Sequence, residues 1–174
     1  MRSSPGDGYV LDTCALMDLS GENEATSFTD DHARRERVFQ GLERLIQDGR
    51  CRSVAVAKIE VEQQSPIGYK RLSPFGSKFS TSDTPELILE LQQVLIYLEP
   101  REQRWLSRRR STREWPDPYM VALARMRGWV MVTSERHRTE RAPNNRREQK
   151  IPDLCDAAGV DWFHLADLVG FEGL

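Results

Sequence analysis

Apolar and polar residues alternate along the chain in blocks that fit short buried strands separated by helices. The first apolar block, residues 9–11, ends at Asp12 and predicts a buried strand near residues 8–12. Apolar residues return directly afterwards at Leu16, and Thr13 is a residue type that caps helices. We therefore expect Asp12 at the carboxyl end of a first strand, where open α/β sheets place their functional sites.

The rest of the chain repeats this alternation of strand and helix. Further short apolar runs predict strands near residues 52–56, 129–133 and 161–164. Apolar residues at helical spacing predict helices over residues 34–48, 57–64, 84–98, 117–128 and 151–159, with part of 101–114 and a last turn at 165–169.

Polar composition and helix-capping residues set the predicted boundaries. Residues 20–33 form a predicted loop that ends at an N-cap, either Thr29 or Asp30, and residues 65–83 are rich in Pro, Gly and Ser and predict a second loop or flap. Asp117 is the predicted N-cap of a helix with Pro118 at its first position.

This order of elements predicts an α/β fold with a central, mostly parallel sheet of four to five strands flanked by helices. A chain of 174 residues without an internal repeat or linker fits a single domain over residues 1–174. No Gly-rich phosphate loop of the Walker or dinucleotide type is present, so nucleotide binding is not expected.

Composition limits which binding partners and which cellular compartment are expected. With 25 Lys and Arg against 27 Asp and Glu, the net charge is -2, so any nucleic-acid binding has to come from local patches. No apolar stretch approaches the roughly 20 residues of a membrane span, and the N-terminus lacks a hydrophobic signal core, so we expect a cytoplasmic protein. Cys14, Cys51 and Cys155 are far apart in sequence, which favours buried free thiols over disulfides or zinc ligands.

The segments that carry acidic residues resemble the PIN-domain family of metal-dependent ribonucleases, which includes the VapC-like toxins of toxin–antitoxin pairs. Residues 10–18 look like the opening strand and first acid of that family, and residues 117–124 look like its helix that begins at an Asp. Residues 130–135 are similar to its Thr-x-Asp/Glu turn. Ile59 and Glu62 fit its hydrophobic-x-x-Glu segment. The order and spacing of these motifs, over nearly the whole chain, carry the resemblance.

Smaller features qualify the match. Residues 150–155 resemble a branch of the same superfamily. Cys14 stands where many members carry Asn or Ser, and Glu135 replaces the commoner Asp, which moves a carboxylate outward by one methylene. The second acid is ambiguous between Glu60 and Glu62, and we favour Glu62 because counting from Ile59 matches the family segment.

The resemblance implies a three-layer PIN-like fold and metal-dependent hydrolysis of RNA phosphodiester bonds. Converging carboxylates repel each other, and a hard divalent cation such as Mg²⁺ or Mn²⁺ relieves that repulsion and activates a bound water. The expected metal ligands and catalytic acids are Asp12, Glu62, Asp117 and Glu135.

The same resemblance implies the partners. We expect an RNA substrate, an antitoxin protein that covers the site of a type II toxin, and, more weakly, a homodimer. Arginine suits phosphate contacts, although arginine-rich segments are usually a solvated face. The rival hypothesis is a PIN-like scaffold that binds RNA or a protein without cutting. The candidate RNA-binding residues are Arg108, Arg109, Arg136 and Arg138.

Overall fold

The structure of the protein is a computed structural model that describes residues 8–22, 31–107 and 115–174. Its strands are β1 (Tyr9–Leu11), β2 (Cys51–Val54), β3 (Ser80–Thr81), β4 (Val130–Thr133) and β5 (Trp162–His164). The α-helices in the described ranges are α1 (Thr13–Ser20), α2 (His32–Gln47), α3 (Ala57–Gln64), α4 (Pro66–Leu72), α5 (Pro85–Leu95), α6 (Pro100–Ser107), α7 (Pro116–Arg127), α8 (Ile151–Ala158) and α9 (Leu165–Glu172). None of these helices combines the length and the apolar character that crossing a bilayer requires.

The strands form one parallel sheet in the order β3-β2-β1-β4-β5. The chain steps outward from β1 through β2 to β3, crosses back to place β4 beside β1, and then steps outward to β5. The strand order therefore reverses between β1 and β4, and the carboxyl ends at such a reversal form the usual ligand crevice of open α/β sheets. The prediction of a parallel α/β sheet of four to five strands is confirmed.

Helices cover both faces of the sheet and complete a three-layer arrangement that matches a PIN-like fold. Helix α7 packs against β1, β2 and β4, with α5 and α8 beside it, whereas α1, α2 and α9 belong to the other layer. Every residue from Tyr119 to Ala124 is buried. A helix that is apolar on all sides has to be enclosed, and α7 is enclosed because it lies between the sheet and α5.

The ends of α7 show where local sequence signals succeed and fail. Gly128 adopts a left-handed conformation with φ 63° and ends the helix, as its position predicts. The prediction that Asp117 is the N-cap is wrong, because Trp115 holds that position and Asp117 lies in the first turn. Both Pro116 and Pro118 fit there, since the first-turn N–H groups have no acceptor within the helix.

The segment 65–83, predicted as a loop, instead contains α4, a short 3₁₀ segment and β3. The start of α4 is stabilised from a distant part of the chain, because Glu22 accepts hydrogen bonds from the Ile67 N–H at 2.9 Å and the Ser65 hydroxyl at 2.6 Å. No local pattern reports such a cap. The prediction therefore failed on a helix whose N-terminal partner lies more than 40 residues earlier.

Two further predicted caps differ from the structure. Thr13 does not cap α1, because Asp12 occupies the N-cap position and Thr13 is the first helical residue. The N-cap of α2 is Asp31, whose carboxylate accepts from the N–H groups of the next helical turn. The predicted alternatives, Thr29 and Asp30, lie outside the described residues.

The amino end of β1 is fastened to the C-terminal helix. The buried Tyr9 hydroxyl donates to Glu172 in α9, and the Arg50 guanidinium donates to both oxygens of the same carboxylate, at 3.1 and 2.6 Å. These contacts lie at the edge of the sheet opposite to Asp12.

The three cysteines are free thiols, as predicted. Cys51 and Cys155 are buried, whereas Cys14 is partly exposed. The exception follows from its place, because Cys14 lies in the first turn of α1 next to Asp12.

Leu123→Ala should lower the free energy of unfolding by about 2–5 kcal/mol, because a buried leucine truncated in a close-packed layer leaves a cavity. Leu123 is 0% exposed in α7, and the matched control Leu89 in α5 is 63% exposed. Leu89→Ala should change stability by no more than about 0.5 kcal/mol. Urea unfolding midpoints measure both changes, and equal shifts would contradict the enclosed position of α7.

Candidate acidic active site

Asp12 lies at the reversal of the sheet with one carboxylate oxygen held by the protein. Its N–H donates to the Val132 carbonyl at 3.0 Å and extends the pairing of β1 with β4. The Thr133 hydroxyl at 2.8 Å and the Cys14 thiol both donate to Oδ2. Within the described part of the chain no hydrogen bond reaches Oδ1, and the residue is only 4% exposed. Asp12 is thus oriented through one oxygen, and its other oxygen remains an available ligand.

Cys14 makes polar contacts with Asp12 and with the end of β4. Its sulfur accepts a hydrogen bond from the Ser134 N–H at 3.2 Å and lies 3.2 Å from the Thr133 hydroxyl. Burial, followed by the charge of Asp12, raises the pKa of the Cys14 thiol well above its usual range. The thiol therefore keeps its proton and can donate it to Asp12.

The structure brings Glu60, and not Glu62, to the other acids. Glu60 is half-buried, and its Oε2 accepts from the Thr13 hydroxyl at 2.8 Å. Glu62 is exposed, since residues two apart on a helix point about 200° apart. The assignment from sequence took Ile59 as the buried reference, but Ile59 is 66% exposed. Helix α3 instead packs through its buried residues Ala57 and Val61. This packing turns Glu60 toward the cluster.

Asp117 joins the cluster from the first turn of α7. Burial raises the pKa of its carboxyl well above the usual range, and the charges of Asp12, Glu135 and Glu60 raise it further, while a hydrogen bond from Trp115 lowers it. A helix N-terminus stabilises an anion, so the place of Asp117 in the first turn of α7 favours its charged form and opposes this rise.

Glu135 follows β4 and is bound to the start of α8. Its Oε2 accepts from the Ile151 N–H at 2.9 Å, and its Oε1 lies 3.2 Å from the Lys150 ammonium. Its own N–H donates to the Thr133 hydroxyl at 3.1 Å. Both carboxylate oxygens of Glu135 are therefore engaged by donors of the protein.

The charges of these acids act on one another. Burial, then the charge of Glu135 and that of Glu60, raises the pKa of Asp12 from its ordinary value of 3.8 to about 7, although hydrogen bonds from Cys14 and Thr133 lower it. Burial and the charge of Glu135 likewise raise the pKa of Glu60. Negative charge at this edge is consequently under-compensated by the surrounding protein.

A metal ion fits this site by charge and ligand type. Among the described residues, no three His, Cys, Asp or Glu side chains are positioned to hold an ion together. The hydrogen bonds explain this, since donors on β4, α1 and α8 each hold a carboxylate in its own place. An all-oxygen set with excess negative charge suits Mg²⁺ or Mn²⁺, and ligation by Glu60 or Glu135 would require that side chain to turn away from its donors.

The candidate RNA-binding arginines have different surroundings. Arg108 and Arg109 lie outside the described residues. Arg136 is exposed directly after Glu135. Arg138 is engaged in ion pairs, one with Glu99 and a longer one of 3.5 Å with Asp153. The guanidinium of Arg138 therefore fastens a loop, whereas Arg136 faces solvent at the edge of the site.

Two further residues, Thr13 and Lys150, contact the acids, and each had only a weak signal in the sequence. Thr13 follows the first acid, and its hydroxyl orients Glu60. The position of Thr13 beside a predicted strand end did not indicate this contact. Lys150 begins a motif that resembles a branch of the PIN superfamily, but its ion pair with Glu135 spans a loop. Contacts of this kind depend on the fold and have no local pattern.

Comparison with known protein families identifies a match that covers all five strands and every acid of the site. The matching family is described as "Domain of unknown function (DUF4411)", and the match extends over residues 9–173. No curated protein matches the chain. Since the match includes nearly the whole sequence, the chain belongs to the DUF4411 family.

Proposed function

We propose that the protein is a PIN-type, metal-dependent endoribonuclease whose acids are Asp12, Glu60, Asp117 and Glu135. One observation carries the proposal: carboxylates from four distant segments of the chain act on one another at the carboxyl edge of a parallel sheet, where its strand order reverses. Clustered carboxylates with raised pKa values are a common sign of a functional site. The order and spacing of the acidic motifs, which resemble those of PIN domains, supply the type of reaction.

The contacts of each acidic side chain suggest its role in metal binding. Asp12 would offer Oδ1 to a divalent ion while Thr133 and Cys14 keep its other oxygen in place. Asp117 would be the second main ligand, and Glu60 would complete the set. A bound ion of this kind supplies an activated water and neutralises charge on a phosphodiester. Glu135, fixed at α8, would position water or complete the ligand set.

The RNA, the partner protein and the compartment belong to the same proposal. Arg136, which is exposed beside the acids, is the described arginine best placed for a phosphate, and Arg108 and Arg109 are further candidates. The resemblance to VapC-like proteins supports a toxin of a type II pair, acting in the cytoplasm and covered by an antitoxin. It also supports a homodimer, though less directly.

A second candidate function is a PIN-like scaffold that binds RNA or a protein partner without cutting. The hydrogen bonds that hold the acids apart within the described residues favour it. Mn²⁺ binding separates the two functions, because an active cluster has to bind the ion and a degenerate one does not.

Asp12→Asn should reduce Mn²⁺-dependent cleavage of RNA by roughly 100-fold or more, because it removes the charge of the best-placed ligand. The measurement is the initial rate on a fluorescently labelled RNA with Mn²⁺, and with EDTA as the metal-free control. Circular dichroism verifies that the variant is folded. Equal rates for the two proteins would exclude Asp12 from the chemistry.

Glu60→Gln should lower the same rate by roughly 10- to 100-fold, whereas the matched control Glu62→Gln should leave it unchanged. Both substitutions remove one charge from α3, and only Glu60 contacts Thr13 and acts on Asp12 and Asp117. The reverse result, with Glu62→Gln inactive and Glu60→Gln active, would restore the assignment from sequence and contradict the geometry.

Without divalent metal, the protein should become less stable as the pH rises from about 5 to about 8. The pKa of Asp12 is raised to about 7 in the folded chain, so the folded state holds a proton that the unfolded state has already lost. This contribution is fully present below the unfolded pKa and disappears as the pH passes the folded one. Melting temperatures in EDTA measure the trend, and Asp12→Asn should flatten it. A wild-type melting temperature that rises over this range would contradict the raised pKa.

A further inference from the structure

Lys150 is held at the rim of the acidic cluster by its backbone and its side chain. Its N–H donates to Asp153 at 2.9 Å, at the position where α8 begins. Its ammonium lies 3.2 Å from Glu135 and 3.3 Å from Glu148, and the side chain is 32% exposed. One ammonium therefore lies within ion-pair distance of two carboxylates.

The charge of Lys150 falls on one side of the cluster. Glu135 raises the pKa of Asp12 and of Asp117, so it lies within electrostatic reach of both. Its two oxygens are engaged by Lys150 and by the Ile151 N–H. Asp12, in contrast, keeps Oδ1 without a hydrogen bond inside the described ranges. The contacts of the protein therefore engage both oxygens of Glu135 and only one oxygen of Asp12.

A simple surface ion pair does not account for this arrangement. Exposed pairs such as the one with Glu148 contribute little because solvent screens them, whereas the side chains of Lys150 and Glu135 are only 32% and 21% exposed. Carboxylate clusters that hold two divalent ions place them about 4 Å apart, and each ion needs its own oxygen ligands. An ammonium beside Glu135 takes the oxygen that a second ion would need and repels that ion.

We infer that Lys150 is a built-in second cation, so that the site takes one divalent metal ion per chain instead of two. The inference rests on the proposed function, because it assumes that the acids bind metal. It assigns Asp12, Asp117 and Glu60 to the ion and leaves Glu135 with Lys150. A metal preference follows as well: the single ion has to satisfy its remaining coordination with water, as Mg²⁺ and Mn²⁺ do.

The test counts bound metal ions without measuring activity. Metal-free protein is titrated with Mn²⁺, and the electron paramagnetic resonance signal of free Mn²⁺ gives the number bound per chain. Wild type and Lys150→Arg, which keeps the charge, should bind one ion. Lys150→Met, which keeps the chain length without the charge, should bind two. The matched control Lys70→Met removes a charge from an exposed position of α4 and should bind one.

Each outcome separates the inference from the proposed function. Two ions in the wild type, or one ion in Lys150→Met, would overturn the inference and leave the nuclease proposal standing. No ion in either protein would overturn the proposed function and the inference with it. If circular dichroism shows that Lys150→Met is unfolded, Lys150→Gln replaces it with the same expected count of two.

Discussion

Negative charge gathered at the ends of β1 and β4 is the constraint on which the rest of the site depends. Burial and mutual repulsion raise the pKa of Asp12 to about 7, and the surrounding donors reduce this effect without removing it. Hydroxyl groups, a thiol, a helix N-terminus and one ammonium each hold one carboxylate oxygen. A hard divalent cation would supply the compensation that these donors leave incomplete.

The fold creates this concentration of charge from segments that are distant in sequence. Parallel strands place their carboxyl ends on one edge, and the reversal between β1 and β4 opens a crevice there. Helix α7 brings Asp117 to the same edge because its enclosed apolar residues fix its position against the sheet. At the opposite edge, the Tyr9 hydroxyl donates to Glu172 and fastens the end of the C-terminal helix to β1.

The sequence predicted those features that depend on local patterns and missed those that depend on packing. Four of the strands and the course of α7 follow from apolar runs and from Gly128. Helix α4 was not predicted, because the residue that accepts from its N-terminal N–H group is Glu22, which lies far away along the chain. The structure turns Glu60 and not Glu62 toward the other acids, because packing, and not spacing from Ile59, sets the rotation of α3. The ion pair that involves Lys150 likewise arises only after the loop before α8 has folded.

The most direct measurement of the central claim is an anomalous difference map from crystals of the protein grown with Mn²⁺. The account predicts a single Mn²⁺ peak at the carboxyl edge of the sheet, coordinated by Asp12 Oδ1 and Asp117, with Glu60 nearby and Glu135 still paired with Lys150. An ordered site without Mn²⁺ between Asp12 and Asp117 at saturating metal, or a peak held by other residues, would contradict it.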